Sequence, residues 1–468
     1  MKQNMRSTLK TTGLGLMLAV SSGWVLLAAT SNAATARIPN VVIFYTDDQG
    51  TLDANCYGSK DLYTPTMDKL AETGVRFTQA YAHFVCCPSR AMLLTGRHPQ
   101  RCNVNGWTQG NSKIKGGQLN MSLKEITLAE ALKGAGYKTG LFGKWHLGAH
   151  DDFGPTAQGF DEFFGFRSGF IDNYIHYFLH EGFHDLFDGD KEVFMKGQYF
   201  PDLMTKRAVQ FIDKNKEVPF FMYVAFNLPH YPEQPDTQFD QRYKDLKMPR
   251  QSYAKVISTV DDRMGIVVNT LEELGLRDNT IIIFMSDNGA SVEDCFINRE
   301  EHPSGFPKGH HYGAFGGGGN SGKWRGAKAT YFEGGIRVPA IISYPAKLPK
   351  GGVRDQAISC MDWFPTILEL CSVPLPDIKL DGQSIVPIIR SADAPTHHKI
   401  MHWHFEQRWA VREGDWKLIS SQQGEPDFLG NLADEEPERR NYIKEQPEIA
   451  GKLLNLHNEW LKDVMPKK

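Results

Sequence analysis

Four short apolar runs recur in the first two-thirds of the chain: Asn40–Tyr45 (NVVIFY), Thr139–Phe142, Pro219–Phe226 (PFFMYVAF) and Thr280–Met285 (TIIIFM). The longer ones do not alternate with polar residues, and this predicts strands covered on both faces, as in a parallel sheet. Segments of helical period lie between them. Thr64–Gly74 has a proline near its start and Met67 and Leu70 one turn apart; Ser122 and Glu125 form a capping-box pattern ahead of Ile126, Leu128 and Leu132. Pro201–Lys214 reads as an amphipathic helix, and Tyr253–Leu274 carries Val256, Ile257, Val260, Met264, Val267, Val268 and Leu271 on one face. Val338–Tyr344 adds a further strand. The alternation predicts an α/β fold, a large mixed and mostly parallel sheet sandwiched by helices.

Beyond about Leu375 the units shorten. Trp409–Arg412 and Trp416–Ile419 flank Glu413-Gly414-Asp415 as a hairpin, and Glu448–Leu461 closes as a helix. This predicts a smaller C-terminal domain of antiparallel sheet plus helix. The expected division is a leader over 1–36, an α/β domain over 37–375 and an α+β subdomain over 376–468.

The leader reading rests on Lys2, Arg6 and Lys10 ahead of an apolar run from Gly13 to Ala29, then small residues at Ser31-Asn32-Ala33 or Ala34-Thr35-Ala36. That is the pattern of a secretory signal peptide, with a single membrane anchor as the alternative. An exported protein, periplasmic or secreted and without stable membrane insertion after cleavage, is expected. The formal net charge is −3, and loss of three cations with the leader makes it about −6, so nucleic acid is not an expected partner. An anionic ligand must be held by local cations. Seven cysteines leave disulfides open without fixing any pairing.

The apolar runs end in polar chemistry. Asp47 and Asp48 follow the first, Lys144 and His146 the second, His230 the third, and Asp287 and Asn288 the fourth. In an open α/β sheet such ends share one edge, where ligands bind. Adjacent carboxylates repel unless a cation holds them, and hard oxygen donors favour Ca²⁺ or Mg²⁺; an acidic turn is the plainer alternative. Cys86–Arg97, CCPSRAMLLTGR, reads as a helix with a thiol at its start, where free N–H groups suit an anion, and with Arg90 one turn on. A buried cysteine pair is the plainer reading of Cys86 and Cys87. The aromatics from Phe160 to Phe200, among them Phe163, Phe164, Phe166, Tyr174, Tyr177, Phe183 and Phe187, serve either a core or sugar stacking. His310, His311 and Gly316–Gly319 read as a mobile loop beside the site.

Cys86, Pro88, Ser89 and Arg90, followed by Thr95, Gly96 and Arg97, resemble the signature of the formylglycine-dependent sulfatases, within the alkaline phosphatase superfamily. The resemblance extends over most of residues 38 to 345 through Asp47-Asp48, Gly143-Lys144-Trp145-His146, His230, Asp287-Asn288 and Lys328, and it is similar in kind to bacterial exported polysaccharide sulfatases. It implies that a maturation enzyme oxidises Cys86 to formylglycine, whose hydrate is the nucleophile. It further implies that Asp47, Asp48, Asp287, Asn288 and modified Cys86 hold one Ca²⁺. Arg90, Lys144, His146, His230 and Lys328 become the sulfate-binding and proton-transfer set, with His146 drawing a proton from the hydrate and His230 or Lys328 protonating the leaving alcohol. The implied reaction is removal of sulfate from a sulfated polysaccharide or oligosaccharide. Two rivals stand beside it: a phosphate or phosphonate monoester hydrolase of the same superfamily, and a non-catalytic exported protein that binds anionic glycans.

Overall fold

The structure, a computed structural model, describes residues 37–114, 119–313, 315–421 and 424–465. The predicted leader lies outside these residues. No helix among the described residues is long and apolar enough to cross a membrane.

Seven main strands are β1 (Asn40–Asp47), β2 (Val75–Tyr81), β3 (Lys138–Lys144), β4 (Glu162–Phe166), β5 (Phe220–Pro229), β6 (Thr280–Ser286) and β7 (Arg337–Ser343). With four short strands they build an 11-stranded sheet, in which the main strands follow the order β2, β7, β6, β1, β5, β3, β4. The run β6-β1-β5-β3-β4 is parallel, while β7 runs antiparallel to both β6 and β2. The expected fold, mixed and mostly parallel, is the one observed.

Burial on both faces explains the unbroken apolar runs. Val41, Ile43 and Tyr45 of β1 enter one core, while Val42 and Phe44 enter another. The first core takes in α2 (Cys86–Thr95), α3 (Leu128–Gly134) and the helix Trp363–Leu370. The second receives α1 (Pro65–Glu72), α4 (Phe200–Asn215) and α5 (Arg250–Glu273). The sheet is thus sandwiched by helices.

A second sheet of four antiparallel strands consists of β8 (Ile400–Phe405), β9 (Arg408–Glu413), β10 (Trp416–Ser420) and β11 (Phe428–Asn431). Trp403, Phe405, Ile419 and Phe428 extend the core that holds α2. Trp409, Val411, Leu418 and Leu429 face the last helix, Pro447–Val464, through Ala450 and Leu453.

One helix start differs from expectation. The capping box forms at Thr127 and Glu130: Glu130 N donates to Thr127 Oγ1 at 3.1 Å, and Thr127 N donates to the Glu130 carboxylate at 2.8 Å. Glu125 is drawn away by Arg97 at 2.6 Å, leaving Ser122–Glu125 as a turn. All seven cysteines are unpaired. Phe163, Phe164, Phe166 and Phe187 are core residues, so much of the aromatic-rich segment is packing.

Close strand contact makes Gly143 a sensitive position. Its φ is 121°, and a Cβ there would overlap the carbonyl oxygen of Ala225 on β5. Alanine at 143 must spread β3 from β5 and displace Lys144. Gly143→Ala is expected to lower stability by about 2 kcal/mol or more and to reduce turnover with it, checked by denaturant unfolding beside an activity assay.

Candidate active site

The four parallel strands β6, β1, β5 and β3 are consecutive neighbours, so their polar carboxyl-end residues meet at one edge. Asp48 and His146 have left-handed backbones, φ 66° and 57°, where the chain turns out of β1 and beyond β3. The loop between β6 and Glu333 supplies Lys328, and helix α2 supplies Cys86 and Arg90. All ten of its residues are buried, so it lacks a polar face, and Cys86 is its first residue.

Cys86 donates its thiol to Asp47 Oδ1 at 3.3 Å. Lys144 Nζ lies 2.7 Å from Asp47 Oδ2. The Arg90 guanidinium reaches Asp287 Oδ2 through Nε at 3.1 Å and Nη2 at 2.7 Å, and the same Nη2 is 3.7 Å from Asp47 Oδ2. Lys328 Nζ is 2.9 Å from Asp48 Oδ2, where His230 Nε2 also approaches at 3.7 Å. Asn288 Nδ2 donates to Asp48 Oδ1 at 2.7 Å, and the backbone N–H of Asp48 donates to Asp287 Oδ1 at 3.2 Å. His146 is buried beside this group, with no hydrogen-bond partner on either ring nitrogen. All ten residues singled out from the sequence therefore stand at one edge of the sheet.

Burial dominates their electrostatics. It pushes the Asp47 carboxyl up to about 7, helped by Asp287 and opposed by Lys144 and Arg90. Asp48 is raised by burial against the pull of Lys328, whereas Asp287 ends below the usual carboxylate range because Arg90 and Lys144 outweigh its burial. Burial together with Asp287 and Asp47 holds the Cys86 thiol protonated. Burial and the nearby lysines depress both His146 and His230, so each imidazole is neutral and the His230–Asp48 approach is no ion pair.

The donor set fits a hard divalent cation. Asp47, Asp48, Cys86 and His230 each present a ligand-type atom, all within 4.8 Å of one another. Asn288 Oδ1 is buried with no partner, an acceptor without a donor. Three carboxylates and an amide oxygen are the ligand chemistry of calcium or magnesium. Asp287 belongs to the same edge, although Arg90 and the Asp48 N–H occupy its oxygens.

Several contacts escaped the sequence reading. Tyr223 OH lies 3.4 Å from Arg90 Nη1, Tyr253 OH donates to Asp48 O at 3.0 Å, and Glu293 sits 3.2 Å from Lys328 Nζ. Tyr223 stands inside the apolar run 219–226, Tyr253 at the start of a helix and Glu293 in an irregular loop, so no spacing singles them out.

A second cluster lies apart. Each oxygen of buried Asp362 accepts one backbone N–H, from Gln383 at 3.0 Å and Ser359 at 2.8 Å, and one imidazole, His397 at 3.2 Å and His398 at 2.6 Å. These four donors satisfy the carboxylate, and the cluster is structural. Asp362 raises His398, while the two histidines hold Asp362 below the usual range. The raised histidine stabilises fully below its unfolded value, about 6.5, and loses this as pH rises; the depressed carboxylate stabilises above about 3.9. His398→Ala should therefore cost most stability near pH 5 and less at pH 8, as read by unfolding at the two pH values.

Residues 39–373 match the sulfatase family, and residues 323–464 match the family described as N-sulphoglucosamine sulphohydrolase, C-terminal. The chain belongs to the sulfatase family and is a sulfuric ester hydrolase. It is 30% identical to the N-acetylgalactosamine-6-O-sulfatase of Bacteroides thetaiotaomicron, covering 91% of this chain and 93% of that protein. It is 31% identical to mouse arylsulfatase J over 84% of this chain and 66% of that longer protein. Among solved structures it resembles Ps i-CgsB in complex with k-i-k-neocarrahexaose, with a TM-score of 0.77, 28% identity, and 91% and 93% of the two chains covered. The phosphonate monoester hydrolase of Agrobacterium radiobacter shares the fold at a TM-score of 0.63 and 19% identity.

Proposed function

We propose that the protein is an exported sulfatase acting on a sulfated carbohydrate, with Cys86 oxidised to formylglycine by a maturation enzyme and one Ca²⁺ held by Asp47, Asp48, Asp287, Asn288 and the modified residue. The observation that carries this reading is the pairing of three buried carboxylates with Arg90, Lys144 and Lys328 around residue 86. With Glu293 beside Lys328, four carboxylates face three cations, and a divalent ion would leave this edge one charge positive, matched to the single negative charge of a sulfate monoester.

The calcium would supply charge stabilisation, and the formylglycine hydrate a nucleophile whose second hydroxyl gives the reaction an exit. The chain's own groups do the rest. Arg90, Lys144 and Lys328 hold the non-bridging sulfate oxygens, on which charge must be neutralised. His146, neutral and with both ring nitrogens free of partners, accepts a proton at a ring nitrogen. Proton donation to the departing alcohol falls to Lys328 Nζ, or to His230 Nε2 once that atom has taken up a proton, because the neutral imidazole keeps its one proton on Nδ1 against the Tyr231 carbonyl at 2.6 Å. The names of the Bacteroides relative and of the Ps i-CgsB complex, both involving carbohydrate, support a saccharide substrate. The catalytic α/β part is assigned to 37–375 and the C-terminal α+β part to 376–468, with 1–36 removed on export.

Parallel assays on sulfate and phosphate monoesters, with and without a calcium chelator, test the reading. We expect sulfate to be preferred by at least about a hundredfold, and chelation to remove most activity reversibly. A phosphate preference of that size would establish the rival hydrolase instead.

A further inference from the structure

One wall of the site is built by residues that the catalytic reading leaves unused. Trp107 follows the loop of α2, stays 41% exposed, and its ring lies over His146 with centroids 6.4 Å apart and planes at 21°. It is held in place. Thr108 Oγ1 donates to His146 O at 2.6 Å, Phe405 meets the indole edge-on at 5.5 Å, and Glu406 N donates to Asn105 O at 3.2 Å. Rigid, half-open indoles offer a large apolar face at low entropic cost. Among the described residues the indole N–H has no hydrogen-bond partner.

The turn joining β8 to β9 completes this wall from the C-terminal sheet. Phe405 pairs with Arg408 across it, and the Arg408 guanidinium lies 4.6 Å from the Phe84 ring, two residues before Cys86. Its Nη1 donates to Ala329 O, next to Lys328, at 3.4 Å. A guanidinium has five N–H donors. Whereas Arg90, Lys144 and Lys328 each face a carboxylate, Arg408 has none within ion-pair distance among the described residues. Exposed Glu406 on the same turn points its Oε1 towards Gly106, on the Trp107 side.

We infer that Trp107, Glu406 and Arg408 form a saccharide subsite beside the sulfate-cleaving centre: the indole stacks on a sugar ring, Glu406 accepts a sugar hydroxyl, and Arg408 binds a second anionic group on the same saccharide. The alternative for Trp107 is a plain cover over His146. The inference rests on the carbohydrate reading and narrows it to polyanionic saccharides, for which a chain of net negative charge needs a local cation.

The test uses the matured enzyme on three substrates: 4-nitrophenyl sulfate, a disulfated disaccharide, and its monosulfated counterpart that keeps the cleaved ester. Trp107→Ala is expected to raise KM for both disaccharides about tenfold more than for the aryl sulfate. Arg408→Gln is expected to narrow the wild-type preference for the disulfated over the monosulfated disaccharide by about tenfold. Equal losses on all three substrates with Trp107→Ala would make the indole a cover only, and an unchanged preference with Arg408→Gln would remove the anion site; either result overturns the subsite. Wild-type enzyme that cleaves the aryl sulfate but neither disaccharide overturns the carbohydrate reading itself, and the subsite with it.

Discussion

Cys86→Ala should lower sulfate ester turnover by at least about a thousandfold, because every other polar group at this edge can bind or move a proton but none other is proposed to attack sulfur. The fold should survive. Asp47 keeps Lys144 at 2.7 Å when the thiol is gone, so no carboxylate loses its cation, and only a small cavity opens. Cys86→Ser distinguishes the formylglycine reading from an ordinary nucleophile. A serine cannot release its ester by the route a hydrate has, so it should give at most about one equivalent of alcohol per enzyme and then stop. Mass spectrometry of the wild-type peptide holding residue 86, from a host able to perform the oxidation, should show it lighter than the thiol form. Full turnover by Cys86→Ala would leave the proposed centre without its nucleophile.

The part of this site that was legible in the sequence was legible for a physical reason. Strands covered on both faces must be apolar throughout, so a polar residue can appear only where the strand leaves the sheet, and Asp47, Lys144, His230 and Asp287 stand at or just beyond such points. Adjacency of β6, β1, β5 and β3 then follows from the parallel order and brings distant positions together. Helix α2 was legible through its motif and not through its period, because a helix buried on every side has no polar face to mark. What stayed hidden is what tertiary contact alone decides. Arg97 takes Glu125 and so moves a capping box by five residues, and the edge of Phe405 reaches the Trp107 indole only because the β8–β9 turn arrives from the far end of the chain.

Lys417→Met tests how the C-terminal sheet supports this edge. Lys417 is fully buried on β10, with Nζ 2.8 Å from Glu333 Oε1 and 2.6 Å from Glu438 Oε1. Glu438 Oε2 accepts the Glu333 N–H at 2.7 Å, and Glu333 Oε2 is shared by Tyr81 at 2.8 Å and Arg337 at 3.2 Å. Burial raises Glu333, but Lys417 and Arg337 bring it down to about 2; Glu438 is raised by burial, with Lys417 opposing and Glu333 reinforcing the rise. Methionine keeps the volume and removes the charge, leaving two carboxylates facing each other in the interior. The expected cost is about 3–5 kcal/mol of stability. In the variant a carboxylate must take up a proton on folding, so its deficit should shrink from pH 8 to pH 5 as that proton becomes available. Adding Glu438→Gln should recover part of the loss, since the pair is coupled. The effect should reach the site as well: Glu333 opens the turn whose Gly335 carbonyl accepts the N–H of Gly289 at 2.9 Å, immediately after Asn288. Denaturant unfolding at the two pH values measures the first effect, and a fall in calcium affinity under conditions where the variant is folded measures the second. A pH-independent loss below about 1 kcal/mol would show that the buried pair contributes no more than a surface one.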